Sequence, residues 1–269
     1  MSTPSATLTV WAGSWLAGGS APDDVLDALR AWAPRQTVAA GDPVTGGHTG
    51  LPWAADDGVD AARGAGIMAL LKLIRESVSA PGARLRLVLP VPGDVRGLPG
   101  GTEFAAAAME TGEGLLLGTP GTIGTGLVPL WPDDDTLQWT VFSTPIPVAE
   151  PDMPLGEAEY TMRQAVRDAA DALQLLQTTR MEGGPAGPRE LIEAELASHS
   201  KHTYPDYLPL RARRILDTAD QVAAILTVAE REPAAAPTSA SAAAAQETLL
   251  RPLWNAIRSA RLAAVHATP

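Results

Sequence analysis

Asp94 and Arg96 stand two residues apart in PGDVRGLPGG, residues 92–101, a stretch that glycine and proline keep out of helix and strand. An aspartate can move a proton, an arginine can clamp an anion, and glycine N–H groups can approach a bound charge. A second stretch of this kind, GTPGTIGTG over residues 118–126, supplies hydroxyls from Thr119, Thr122 and Thr125 and an open backbone at Gly121 and Gly124. A third, AGSWLAGGSA, covers residues 12–21. If three parallel neighbouring strands feed these loops, the loops meet at one sheet edge, where open α/β sheets bind ligands. The candidate ligand-binding residues are therefore Asp94, Arg96, Thr119, Gly121, Thr122 and Gly124, and the ligand they suit is a small anion. The competing reading is a set of tight turns. No loop ends in the Gly-Lys-Ser/Thr of a phosphate-binding loop, and none has dinucleotide-binding glycine spacing.

Four other constellations are weaker. Glu195, His199 and His202 fall at i, i+4 and i+7 and would share a helix face, with Asp206 as a further ligand; Pro205 and polar neighbours favour a solvated helix end, and no metal site is expected. Arg211, Arg213, Arg214, Arg251, Arg258 and Arg261 could line a basic stripe, but Asp217, Asp220 and Glu247 favour ordinary ion pairs. Asp56–Asp57 and Asp133–Asp135 read as solvated turns, because adjacent aspartates cannot all face one cation. His48 lies in GGHTG, and Ser14 or Ser20 could be imagined beside it, yet no nucleophile-elbow sequence is present.

The elements that must position these residues read as alternating strand and helix over residues 1–150. Strands are expected at Thr7–Trp11, Gln36–Ala40, Arg84–Val91, Gly114–Leu117 and Thr136–Phe142; helices are expected at Asp23–Ala33, Gly58–Ser79 and Thr102–Thr111. Residues 151–269 read as helical, with helices over Glu157–Arg180, Pro188–Ser198, Leu208–Glu230 and Gln246–His266, and a low-complexity linker at about 233–245. The expected fold class is α/β: a layered, mostly parallel sheet in the N-terminal half, with an all-helical C-terminal half packed on or beside it.

Composition bounds the function. Of 269 residues, 45% are hydrophobic and 19% charged, which is a folding chain with a full core. Acidic residues number 31 against 20 basic, for a net charge of −11, which argues against nucleic acid as a partner. Cysteine is absent, so disulfides, thiol catalysis and thiolate metal sites are excluded. Lys72 and Lys201 are the lysines among arginines, a bias of GC-rich bacterial genomes. The start has no secretory pattern and no apolar run spans a bilayer, so a cytoplasmic location is expected. The reading is a non-catalytic protein, with no cofactor, acting by homodimer formation, another protein partner or small-ligand sensing. The alternative is an enzyme with its small anionic substrate at the strand-end loops, Asp94 as acid or base and Arg96 as clamp.

Overall fold

The computed structural model describes residues 3–53, 65–148, 152–177, 188–199, 201–231 and 240–267. These divide into two compact units: residues 3–151 with 202–208, and residues 152–201 with 209–267.

The first unit is a sheet with helices on its faces. In chain order it contains α1 (Pro4–Leu16), α2 (Pro22–Arg30), β1 (Arg35–Ala40), α3 (Pro43–Thr49), β2 (Ala65–Gly66), α4 (Ile67–Ser77), β3 (Arg84–Val88), α5 (Glu103–Thr111), β4 (Gly114–Gly118), β5 (Ile123–Asp133) and β6 (Thr136–Pro145). The strand order is β2-β1-β6-β5-β4-β3. One pair, β1 with β6, is parallel; β2–β1, β3–β4, β4–β5 and β5–β6 are antiparallel. The expected mostly parallel sheet is therefore wrong. The sequence between β4 and β6 forms consecutive hairpins, and short hairpins can join only antiparallel strands.

Alternation along the strands builds two cores. Leu115, Leu117, Leu127 and Val141 join Trp139 in a cluster with Leu8, Leu29, Leu70 and Ile74 from α1, α2 and α4. Their neighbours Leu116, Val128 and Phe142 point the other way, into a cluster with Phe104 and Ala108 of α5. Trp139 is fully buried, and its indole N–H donates to Gln36 Oε1 at 3.1 Å. Gln36 in turn donates to the Leu29 and Ala33 carbonyls at the end of α2.

Two further expectations are corrected. Thr7–Trp11 lies within α1, not in a strand: Thr3 caps this helix, and Ser5, Thr7, Leu8, Thr9 and Val10 are all buried. A helix covered all round has no polar face to betray its period. The 118–126 stretch is a turn leading into β5, not a loop. The Gly58–Ser79 helix is described only from Ile67, which starts α4; residues 54–64 lie outside the described residues.

The second unit contains α6 (Leu155–Gln177), α7 (Pro188–His199), α8 (Leu210–Arg231) and α9 (Ala240–His266). The C-terminal half is helical only in part, since residues 201–209 run as turns and extended chain. Within this unit Ile215, Ala219, Ala223 and Leu226 of α8 and Leu253, Ile257, Ala260 and Ala264 of α9 are buried, so these apolar positions are covered inside the chain. Among the described residues no helix is long and apolar enough to cross a membrane.

Candidate functional site

β1 ends at Ala40, and the chain turns through Gly41 into α3. The Asp42 carboxylate starts that helix: Oδ1 accepts the amide N–H groups of Val44 and Thr45, each at 2.8 Å. Pro43 at the first helical position loses no hydrogen bond, and Gly50 ends the helix with a left-handed φ of 68°. The Thr45 hydroxyl donates to Asp42 Oδ2 at 2.6 Å and accepts the Ser143 amide N–H at 3.1 Å. The Thr45 hydroxyl and amide hold the Asp42 carboxyl below the usual aspartate range, and the remaining amide bond adds to this. One buried threonine thus ties α3 to β6, next to the carboxyl ends of the parallel pair.

A cleft of about 310 Å³ opens there. Thr45, His48 and Thr49 enter it from α3, Ser77 and Ala80 from the end of α4, and Val141, Phe142 and Ser143 from β6. The β4–β5 turn and the start of β5 close it with Gly118, Thr119, Thr122, Gly124 and Thr125, and Ile123 stands exposed at its edge. Ser77 and Thr125 share a hydrogen bond of 2.9 Å. Thr49 donates to the Thr45 carbonyl at 2.7 Å and Thr122 to the Thr119 carbonyl at 2.7 Å. Among the described residues, the side chains of His48 and Ser143 have no hydrogen-bond partner in the protein.

The predicted ligand-binding residues separate. Thr119, Thr122 and Gly124 line the cleft. Gly121 lies in the same turn, donating its N–H to the Ile146 carbonyl at 2.8 Å, but does not line it. Gly124 has a steric reason of its own, since a Cβ there would overlap the Leu117 carbonyl and come within 2.7 Å of Ile146. Asp94 and Arg96 do not reach the cleft. They pair with each other in a fork, Nε to Oδ1 at 2.9 Å and Nη2 to Oδ2 at 2.7 Å. The reason is topological. Val88 lies opposite Gly114 and Arg84 opposite Gly118, so the loop after β3 and the turn after β4 leave opposite ends of an antiparallel pair. The loop at residues 12–21 belongs to α1 and the turn after it, where Ser14 and Ser20 hydroxyls meet at 2.6 Å.

The other constellations resolve locally. α7 ends at His199, so the helix does not carry Glu195 and His199 on to His202, whose ring stacks on Trp32 with centroids 3.6 Å apart. Among the described residues no group of three His, Asp or Glu is placed to hold a metal ion. Asp133 closes the β5–β6 turn, accepting the Asp135 amide at 2.9 Å and pairing with Arg35 at 3.3 Å; its carboxyl is held low first by the Thr136 hydroxyl. Asp56–Asp57 lie outside the described residues. In the second unit Arg261 pairs with Asp220 at 2.6 Å, and Arg211 forks onto Glu159 at 3.0 and 2.9 Å. Trp53 and Trp131 are exposed while Trp15 is buried.

Of the lining residues on α3, α4 and β6, the sequence singles out His48 but not Thr45, Ser77 or Ser143. The one available signal was the Asp-Pro-x-Thr start of α3, a helix-capping pattern.

Comparison with known proteins covers both halves of the chain. Residues 5–154 match the model described as Rv1486c-like protein, N-terminal domain, and residues 156–262 match Rv1486c-like protein, C-terminal domain. The chain is similar to the uncharacterized protein Rv1486c of Mycobacterium tuberculosis, with 42% identity over 98% of this chain and 96% of the relative. It is also similar to the uncharacterized protein ML1804 of Mycobacterium leprae, with 40% identity over 98% and 96% of the two chains. A third relative, the uncharacterized protein MAV321 of Mycobacterium avium, is 36% identical over the same shares. No solved structure matches the chain. With the N-terminal model covering the sheet that carries the cleft and the C-terminal model covering most of the helices that follow, the chain belongs to the Rv1486c-like protein family.

Proposed function

We propose that this protein is a non-catalytic binder of a small polar molecule, held in the cleft at the carboxyl ends of β1 and β6. The observation that carries the reading is the pair His48 and Ser143. Both line a cleft of small-molecule size, and neither has a hydrogen-bond partner among the described residues. A polar ligand would satisfy them, while Val141, Phe142 and Ile123 offer it an apolar side.

The non-catalytic part of the reading is supported by how the other groups are used. Asp42, the acid beside His48, interacts with it through charge but makes its hydrogen bonds to Val44 and Thr45, so the imidazole lacks the hydrogen-bonded partner that an acid–base relay requires. The enzyme alternative built on Asp94 and Arg96 has less support, because those side chains neutralise each other outside the cleft. Small-ligand binding also has more support than self-association through the helical stripes, since Ile257 and its neighbours are covered inside the chain.

A thermal-shift survey of small polar metabolites tests the reading, using the wild type beside Ser143→Trp, which fills the cleft. A ligand of this site raises the wild-type unfolding temperature and leaves Ser143→Trp unmoved. Equal shifts in both proteins, or none with any compound, would contradict the reading.

A further inference from the structure

The geometry points to an oxyanion, a carboxylate or a phosphate-like group on a small molecule, as the part of the ligand that the cleft recognises, with His48 supplying positive charge and Ser143 a hydroxyl donor. The inference rests on the ligand-binding reading above and adds the chemical class.

Most hydroxyl hydrogens around the cleft are already given to protein acceptors. Thr45 has given its hydroxyl hydrogen to Asp42, Thr49 to the Thr45 carbonyl, Thr119 to the Pro81 carbonyl at 3.4 Å and Thr122 to the Thr119 carbonyl. Ser77 and Thr125 share one bond, which leaves one O–H between them. The side-chain donors left for a ligand are that O–H, the Ser143 O–H and the His48 ring N–H. Three donor groups from α3, the α4–β5 contact and β6 suit the lone pairs of an oxyanion.

Charge gives the same answer. Among the described residues lining the cleft there is no carboxylate, so a cationic ligand would enter without a counter-charge, which is costly. The surrounding charges are committed elsewhere. Asp42 caps α3, although its charge also reaches His48, the Arg75 guanidinium lies over the Trp15 ring at 4.6 Å, and Glu76 faces Lys72 at 3.8 Å. The lining positions of β5, β6 and the β4–β5 turn carry no ionisable side chain. A chain of net charge −11 repels anions at a distance, so capture depends on local positive charge, and the lining side chain able to supply it is His48.

The test is an amide and imidazole NMR titration of the full chain with sulfate, whose charge is constant between about pH 5 and 8, with glycerol and tetramethylammonium as neutral and cationic controls. Sulfate is expected to shift His48, Ser143 and Thr125. Its affinity is expected to fall between about pH 5 and 8, the range over which histidine side chains lose their charge. Both the affinity and its pH dependence are expected to be lost in His48→Gln and weakened in Ser143→Ala, two substitutions at exposed positions. If glycerol or tetramethylammonium shifts these residues and sulfate does not, the oxyanion inference fails while the ligand site stands. If sulfate binds with the same affinity at every pH, the role given to His48 fails. If no probe shifts the cleft residues, both readings fail.

Discussion

Thr45 gives its hydroxyl hydrogen to Asp42 Oδ2 at 2.6 Å while its oxygen receives the Ser143 amide N–H at 3.1 Å. The helix start and the neighbouring strand are therefore joined through one atom that is almost fully buried. Thr45→Val keeps the shape and removes both bonds, leaving a strand amide and a carboxylate oxygen short of a partner. A loss of about 1–3 kcal/mol is expected in urea unfolding. A change within about 0.5 kcal/mol would mean that the bond does not hold α3 in place.

Glu113 is an acid whose carboxyl is buried. Its carboxylate accepts the Ser5 amide at 2.7 Å at the start of α1, and desolvation pushes its carboxyl above the ordinary glutamate value, against that bond. A carboxyl with a raised folded pKa contributes stability below its unfolded value and loses it as pH rises through the folded one. Glu113→Gln keeps an oxygen for Ser5 and carries no charge. It should unfold at a higher temperature than the wild type at about pH 8, with the gap closing towards about pH 5. A gap that does not change with pH would contradict this.

Gly126 lies against the Phe104 ring. A Cβ there would overlap the ring, with Phe104 Cγ at 2.8 Å and Cε2 at 2.9 Å. Gly47, in α3, has nothing within 4 Å of its own Cβ position. Gly126→Ala should cost about 1–3 kcal/mol as overpacking. Gly47→Ala should be neutral or stabilising by up to about 1 kcal/mol. Equal effects in thermal unfolding would remove the steric account of the β5 glycines.

These glycines explain part of what the sequence concealed. GTIGTG has the composition of a loop, yet Gly124 and Gly126 sit in a strand because Ile146 and Phe104 press against it. Glycine reports a close approach, but the sequence does not say whether the neighbour is a ligand or the protein itself. TLTVW failed for a different reason. Its β-formers lie in a helix buried all round, where the pattern has no exposed face to carry a period. The helices of the second unit were legible because Ile215, Ala219 and Leu226 keep one covered stripe opposite exposed positions such as Asp217 and Gln221. Around the cleft, the lining positions Thr119, Thr122 and Gly124 were legible from their place after a strand. Ser143 and Thr45 were not, because a contact across 98 residues depends on β1 lying beside β6, and no local pattern encodes that neighbour.

Arg261 and Asp220 form a pair at 2.6 Å whose side chains are only 10% and 13% exposed. Asp220→Ala would leave the guanidinium buried without its carboxylate. A loss of about 3–5 kcal/mol is expected in the transition of the helical unit. Arg163→Ala breaks a pair whose arginine is 65% exposed and should cost less than about 1 kcal/mol. If the two variants lose the same stability, burial is not what distinguishes these pairs.

The central claim is that the cleft at the ends of β1 and β6 holds a small molecule. Native mass spectrometry of the wild type and Ser143→Trp, purified side by side and followed by denaturing analysis of any released compound, tests it most directly. The account predicts an added small mass on the wild type that Ser143→Trp does not carry. The same added mass on both proteins, or none on either, would contradict it.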